Sequence, residues 1–437
     1  MNPLEYVAEA FDDWDKYLAL LVVSAVLHWV LLLRRRTLGF FDPLFFILLG
    51  SVFGWAIVWF MFLRGDIAAV YVTSFTVTEL AFYAGLLMVG SPRQVRVPRT
   101  TSDEPTGFAI ATFVTAATVH IGATLMIWTL VGIPLLRASR LGAFFGSGGW
   151  GILERLSDAC GPIALFSAFY LAIGNVHTRR RYVYFAFVGW YAIASALSGS
   201  KSGFLAIGQC VFAVAFLFTN LGRENGSFWG GRAGKIFIGI ATAFAVVVIL
   251  VQEDVDLGGA LVRLAYRMVA FGDIYIYAYP DATIESLRGD NPLIGLFGGF
   301  LSTFRLFPVE QTYTNLGYQL ALLTVPDLDY IAGPNPRHPV FGYHFFGPLA
   351  FVFSFILGLL TQKVHRNLYF PVKPAYLQTL IAFAAYTALV NVSADFDYAM
   401  SRLASTLLGL FVSLTPACLL YPNQSLLLLP RQRRMIG

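Results

Sequence analysis

The chain has 437 residues, of which 57% are hydrophobic and only 13% are charged, and its mean hydropathy is +0.68. A soluble globular domain carries roughly 25% charged residues, so the composition excludes that class and indicates a polytopic membrane protein. The net charge of +5 does not indicate a nucleic-acid partner, because the basic residues are concentrated in loops where membrane topology alone requires them.

Apolar runs long enough to cross a bilayer, roughly 17–25 residues each, recur along the chain. They predict an all-α polytopic fold in which 1–437 form a single transmembrane domain of about 11 helices. The boundary at 198–203 is the weakest, because the sequence is apolar almost without a break from 182 to 218. The predicted spans lie near 17–33, 43–63, 68–90, 107–131, 160–177, 182–198, 202–220, 236–252, 340–361, 375–393 and 402–420.

Basic residues are concentrated in alternate connections between these spans, which contain 18 of the 30 Lys and Arg residues. The positive-inside rule assigns such segments to the cytoplasm. We therefore expect an external N-terminus, a cytoplasmic C-terminus and an odd number of spans. The basic segments are 34–36, 93–99, 179–181, 223–235, 363–373 and 431–434.

One connection, 253–339 between the eighth and ninth spans, is much longer than the others and is predicted to face outward. It contains ten acidic residues and five arginines but no lysine. Its stretches 261–279 and 293–307 are too apolar and aromatic for a solvated coil and predict amphipathic helices against the membrane surface. Long connections with structure of their own are usually functional, so we expect a subdomain that builds a site.

The arginines of this connection are Arg263, Arg267, Arg288, Arg305 and Arg337. Arg263 and Arg267 are four residues apart, so a helix would place both on one face, where they would bind one anion. A guanidinium group binds phosphate through two parallel hydrogen bonds. Pairing with the acidic residues of the same connection stays open for any single arginine, but the set favours phosphate binding.

Two short motifs adjoin apolar runs. "SGSKSG" at 198–203 surrounds Lys201 with small residues, and the helix that follows would add a positive dipole for an anion. Taken alone, this motif favours a simple turn with a lysine that reaches to the interface. "PNPRHPVFGYHFFGPLAFVFSFILGLL" places Arg337 and His338 between two prolines at the start of an apolar run. A charge beside lipid is costly, so a polar group is expected nearby.

Ionisable residues within predicted spans are functional candidates by default. For His28, His120 and Glu79, a hydrogen-bonded packing role is nevertheless favoured. The three cysteines (Cys160, Cys210 and Cys418) are predicted to be buried apolar residues without disulfide or metal spacing. No P-loop, dinucleotide-binding or zinc-protease motif occurs in the sequence.

The two motifs and the long outward connection resemble the O-antigen polymerase and ligase superfamily, over 182–360 by motif and over the whole chain by hydropathy. The family usually has Arg where this chain has Lys201, which can act only as a point charge. The resemblance implies a GT-C-like architecture in the bacterial inner membrane, with the site at the outer membrane–water boundary and no cofactor, metal or nucleotide sugar.

The resemblance also implies a function. A repeat-unit polymerase transfers a growing glycan from undecaprenyl diphosphate to the terminal sugar hydroxyl of a new lipid-linked repeat unit at the periplasmic face. Its partners would be the lipid-linked oligosaccharide, the bilayer, a chain-length regulator and a flippase. A ligase that transfers glycan to lipid A core or protein is an alternative. A polysaccharide or lipid-linked sugar transporter is another, disfavoured because the ionisable residues gather at one face and no repeat occurs.

This chemistry assigns provisional roles to the candidate residues. A histidine of near-neutral pKa suits removal of the acceptor proton, so His338 is the expected base, with Glu310 and Asp273 in reserve. Preorganised cations stabilise the leaving diphosphate, and Arg337 is expected to act in catalysis as well as binding. Further candidates are Arg288 and His344. The diphosphate-binding residues are predicted to be Lys201, Arg263, Arg267, Arg305 and Arg337.

Overall fold

The computed structural model is helical throughout the part of the chain that it describes, with no β-strand there. This agrees with the predicted all-α fold. The described residues are 13–90, 106–136, 151–174, 178–199, 203–220, 272–287, 291–306, 315–324, 333–370 and 376–422.

The helices fall on both sides of a long gap between 220 and 272. Before it lie α1 (Trp14–Arg36, with a π-helical stretch at Trp29–Leu33), α2 (Pro43–Arg64), α3 (Ala69–Met88), α4 (Thr106–Leu130), α5 (Gly151–Gly174), α6 (Thr178–Leu197) and α7 (Gly203–Asn220). After it lie α8 (Asp273–Ala278), α9 (Pro292–Thr303), α10 (Leu316–Thr324), α11 (His338–Phe346), α12 (Ala350–Tyr369), α13 (Tyr376–Leu389) and α14 (Phe396–Leu420).

Among the described residues, seven helical stretches are long and apolar enough to cross a membrane. This supports an α-helical membrane protein, and each stretch overlaps a predicted span. The predicted spans 182–198, 202–220 and 375–393 coincide with α6, α7 and α13, whereas 236–252 lies outside the described residues. The seven stretches are Trp14–Arg36, Pro43–Arg64, Ala69–Met88, Gly107–Leu136, Gly151–Gly174, His338–Tyr369 and Phe396–Leu420.

The helix ends follow from local chemistry. The Asp42 side chain accepts a hydrogen bond from the Leu44 amide, and Pro43 occupies the first turn of α2, where its missing N–H costs nothing. Gly65 ends the same helix at φ 84°, in the left-handed region that glycine adopts without strain. The break predicted at 198–203 is confirmed, since α6 ends at Leu197 and Gly199 has φ 68°.

The chain forms two compact units. The first is built from the described residues within 1–93, 242–366 and 387–404, and the second from those within 94–241, 367–386 and 405–437. The first unit has a core in which α2 and α3 pack around the aromatic residues of α8, with Phe60, Phe75, Tyr275 and Tyr279 almost fully buried. In the second unit, Gly161 of α5 lies against His120 of α4.

The apolar stretch that contains the ninth predicted span is divided between α11 and α12. The break is at Gly347, with φ 51°. His338 contacts Ser354, and a Cβ atom added at Gly342 would lie 3.1 Å from the Ala350 Cβ. A residue later in α11 thus lies against a residue earlier in α12: His338 pairs with Ser354, and Gly342 with Ala350. Helix α11 therefore runs antiparallel to the first turns of α12.

The expectation of amphipathic helices on the membrane surface is wrong for α8. Its residues Ile274, Tyr275 and Ala278 are fully buried, because the helix packs into the core of the first unit rather than onto an interface. Helix α9 keeps its glycines Gly295 and Gly299 against Phe345 and Asp397. It exposes Leu293 and Phe297, an apolar outer face that suits contact with lipid.

Candidate functional site

Two segments of the long connection reach far along α2. The Arg337 guanidinium lies beside Gly50, where an added Cβ atom would be 2.7 Å from Nη2, and the Tyr275 ring lies beside Gly54. Gly50 is seven residues from the start of the 22-residue α2, or about 10 Å along the helix axis. The connection therefore enters the first unit well beyond the start of α2.

Glu79 and His338 form the centre of a buried polar cluster. Glu79 is ten residues into the 20-residue α3 and only 1% exposed, whereas His338 begins α11 and is 4% exposed. The carboxylate atom Oε1 lies 3.5 Å from Nε2 of the imidazole. A buried carboxylate halfway along a membrane-crossing helix is expensive unless it has a polar partner, and His338 supplies one.

Three further contacts fix the position of His338, two through its imidazole ring and one through its backbone. Its Nδ1 lies 3.0 Å from the Ser354 hydroxyl of α12, and its ring stacks on Phe82 of α3 with the centroids 4.7 Å apart. The backbone N–H of His338 donates to the Ser393 carbonyl at 2.8 Å. Both ring nitrogens therefore face protein groups, and the ring has a fixed orientation.

Close packing between α3 and α12 brings Glu79 and Ser354 to the same imidazole. A Cβ atom added at Gly85 would collide with the Phe355 carbonyl oxygen, and one added at Gly358 would collide with the Phe82 carbonyl oxygen. Without side chains at these two positions the helix backbones approach directly. This packing fixes the helix that carries the carboxylate against the helix that carries the serine.

Arg337 directly precedes His338 in the chain, and its charge acts on the Asp273 carboxyl. Both side chains are half-buried, so part of their surface stays accessible. Desolvation raises the pKa of the Asp273 carboxyl to about 7, although the charge of Arg337 acts in the opposite direction and lowers it. A carboxyl that titrates near neutral pH beside a cation is typical of functional sites.

A second group of polar side chains extends from Glu79 toward α1. The Tyr83 hydroxyl lies within hydrogen-bonding reach of the Glu79 carboxylate. It also accepts a hydrogen bond from Trp55 Nε1 at 2.9 Å and lies 2.7 Å from His28 Nε2. The cluster is thus continuous from α1 to α11.

Two buried polar atoms of the cluster have no hydrogen-bond partner among the described residues: Glu79 Oε2 and the Tyr275 hydroxyl. Tyr275 lies close enough to feel the charges of both Glu79 and Arg337. Buried polar atoms are rarely left unpaired in a native protein. Their presence beside two half-buried charged groups indicates a place where a polar ligand group or water would bind.

The predicted site residues divide into three groups. The structure brings His338, Arg337 and Asp273 together in one cluster. Arg305 is exposed just after α9, with φ 54°, and His344 is half-buried near the other end of α11 from His338. The remaining candidates lie outside the described residues, so their roles stay predictions: Lys201, Arg263, Arg267, Arg288 and Glu310.

Glu79 is the functional candidate that sequence reasoning set aside. The available signal was a carboxylate in the middle of an apolar run, which is a functional marker in itself. Its partner His338 is 259 residues further along the chain, and no local pattern connects the two. Glu79 lies halfway along α3, so it is an exception to the expected gathering of ionisable residues at one face.

Compared with known proteins, the chain matches no family model, no curated protein and no solved structure. The resemblance to the O-antigen polymerase and ligase superfamily therefore rests on the short motifs, the long connection and the hydropathy of the chain, and stays a prediction. Within the described residues, no group of three or more His, Cys, Asp or Glu side chains is arranged to hold a metal ion.

Proposed function

We propose that the chain is a membrane glycosyltransferase that polymerises lipid-linked oligosaccharide repeat units. The growing glycan leaves undecaprenyl diphosphate for the terminal sugar hydroxyl of a new repeat unit, at the periplasmic face of a bacterial inner membrane. The supporting observation is the cluster of Arg337, Asp273, His338 and Glu79, where the long connection delivers a cation and titratable groups to one buried place.

The role of Arg337 in this proposal is to stabilise the leaving lipid diphosphate. Breakage of the glycosidic bond builds negative charge on the lipid diphosphate, and a preorganised guanidinium in a water-poor site stabilises that charge. The Arg337 guanidinium lies beside Gly50 while part of its surface stays accessible, so a cation is already present where a phosphate would bind. The expected diphosphate contacts of Lys201, Arg263, Arg267 and Arg305 remain part of this proposal.

The acceptor hydroxyl must lose a proton, and two groups suit that role. His338 is the base expected from the sequence, but Glu79 and Ser354 face its two ring nitrogens, so one of these contacts must open before it takes the acceptor proton. Asp273 is the second, because a carboxyl with a pKa of about 7 exchanges protons readily at neutral pH. Asp273 also has accessible surface, which a direct base requires, whereas His338 is buried.

A transporter or flippase for lipid-linked sugars is a second candidate function. Two observations favour it: Glu79 lies halfway along a membrane-crossing helix, and the stretch His338–Tyr369 is interrupted at Gly347. Interrupted helices whose ends meet ionisable residues near the bilayer midplane are typical of transporters.

One reconstitution separates these functions. The purified chain would be placed in liposomes with undecaprenyl-diphosphate-linked repeat units on both leaflets and no added acceptor. A ladder of longer lipid-linked glycans supports the polymerase. Transfer that requires added lipid A core or protein supports the ligase, and movement of repeat units between leaflets without any change in glycan length supports transport.

A further inference from the structure

A hydrogen-bonded chain in the first unit extends from the Glu79–His338 pair to a histidine that the proposed glycosyl transfer does not use. It begins at His28 on α1, passes through Tyr83 and Glu79 on α3, and ends at His338 on α11. All four side chains are buried. Because three separate helices supply these groups, local sequence cannot account for their alignment.

The hydrogen bonds determine where His28 carries its proton. Its Nδ1 lies 2.8 Å from the Ser24 carbonyl oxygen, which can only accept a hydrogen bond, so Nδ1 holds a hydrogen. In the neutral ring, Nε2 is then an acceptor. This nitrogen lies 2.7 Å from the Tyr83 hydroxyl, which can donate its proton to it.

Tyr83 has one proton and two neighbours that can take it. Trp55 Nε1 donates to the phenolic oxygen at 2.9 Å, and the Ser51 hydroxyl is also within hydrogen-bonding reach of it. The single phenolic hydrogen is therefore directed either to His28 or to the Glu79 carboxylate. His28 and Glu79 compete for it, so the protonation of each depends on the other.

We propose that His28, Tyr83 and Glu79 form a proton relay that ends at His338. When Glu79 is protonated and His28 neutral, the Glu79 O–H bond breaks and the proton binds the Tyr83 oxygen. In the same step the original Tyr83 O–H bond breaks and its proton binds His28 Nε2. The products are a carboxylate and an imidazolium, so charge and atoms balance, and the reverse step returns the proton to Glu79.

The contacts of the two Glu79 carboxylate oxygens leave this residue able to exchange its proton. Its Oε1 is 3.5 Å from His338 Nε2, longer than a strong charge-assisted hydrogen bond, and its Oε2 has no hydrogen-bond partner among the described residues. The titratable groups that face Glu79 are His338, His28, Tyr83, Tyr275 and Tyr279. Arg337 lies next in line, beside Tyr275. The relay does not depend on the glycosyltransferase proposal.

Infrared spectroscopy tests the relay without any assay of activity. The full chain in detergent would be titrated while the carbonyl stretching band of protonated carboxyl groups is recorded. The band that disappears in Glu79→Gln belongs to Glu79. Coupled groups titrate as a pair, so this band should titrate in two steps in the unchanged chain. In Tyr83→Phe it should titrate in one step, with the midpoint shifted by about one to two pH units.

Matched variants keep the test decisive. Tyr17→Phe removes a buried phenol of the same unit that lies outside the relay, and it should leave both steps unchanged. Should Tyr83→Phe fail to fold, His28→Gln serves instead. Glutamine can still hydrogen-bond Tyr83 but cannot become a cation, so one step is again expected. A Glu79 band with the same titration in all these variants, or no Glu79 band at any pH, would overturn the relay.

Discussion

Gly85 on α3 and Gly358 on α12 face each other so closely that neither position has room for a side chain. This contact joins the helix that carries Glu79 to the helix that carries Ser354. The orientation of the His338 imidazole between them therefore depends on two glycines that lie further along the same two helices.

We expect Gly85→Ala to destabilise the protein, because the new methyl group meets backbone atoms of α12 that cannot move aside. Overpacking of this kind costs about 1–3 kcal/mol, visible as a lower melting temperature in detergent. Gly122→Ala on α4 is the control, since no atom of the described residues lies within 4 Å of an added Cβ atom there. Equal melting temperatures for the two variants would show that the helices do not approach as described.

Asp42 ties the start of α2 to α12. Its carboxylate accepts hydrogen bonds from two backbone amides and lies 2.8 Å from His365 Nε2, with both side chains buried. Removing one partner of a buried pair costs about 3–5 kcal/mol, so Asp42→Ala should unfold at markedly lower temperature. Asp13→Ala, which removes the exposed pair with Lys16, should melt like the unchanged protein. A small effect of Asp42→Ala would contradict this role.

Asp273 should make stability depend on pH. Its folded pKa of about 7 lies above the value of 3.8 expected when unfolded, so the folded state binds the extra proton and gains stability as pH falls from 7 toward 4. The amide of an asparagine stays neutral throughout. The advantage of Asp273→Asn in melting temperature should therefore grow as pH rises from about 5 to 8. A constant difference in melting temperature between Asp273→Asn and the unchanged protein over this pH range would refute the raised pKa.

Gly50→Ala tests the placement of the Arg337 guanidinium without removing its charge. The added methyl group would lie 2.7 Å from Nη2, and since the guanidinium ends a flexible side chain, it should move aside with little loss of stability. Under the proposed function, Arg337→Ala loses a charged hydrogen bond worth about 1.5–3 kcal/mol, or roughly one to two decades in rate.

Gly50→Ala should reproduce part of that loss in a polymerisation assay, while Gly122→Ala should not. If Gly50→Ala and Arg337→Ala both polymerise at the normal rate, Arg337 does not act on the diphosphate.

Much of the fold was accessible from the sequence because it depends on length and apolar content alone. Each membrane-crossing stretch of the described chain overlaps an apolar run, and the break at Gly199 follows from a cluster of small residues. The reversal of the chain at Gly347 could not be predicted from the sequence, because a glycine and a proline within an apolar run are compatible with either a kink or a reversal.

The site was accessible only in part. The prolines around Arg337 and His338 marked that segment as unusual, and a nearby polar partner was expected. Which partner meets which charge depends on packing between residues far apart in the chain. The Glu79–His338 contact spans 259 residues, and the burial that raises the pKa of Asp273 arises only once α8 enters the core.

The central claim is that the cluster around Glu79 and His338 is the site of glycan polymerisation. The most direct test is the glycan ladder made from lipid-linked repeat units by reconstituted Glu79→Gln, a change of nearly equal size that removes the carboxylate charge. Given a fold intact by size-exclusion chromatography, the account predicts that the ladder is lost or slowed by at least about tenfold, as expected for loss of roughly 1.4 kcal/mol of transition-state stabilisation. A ladder of normal length and rate from Glu79→Gln would contradict it.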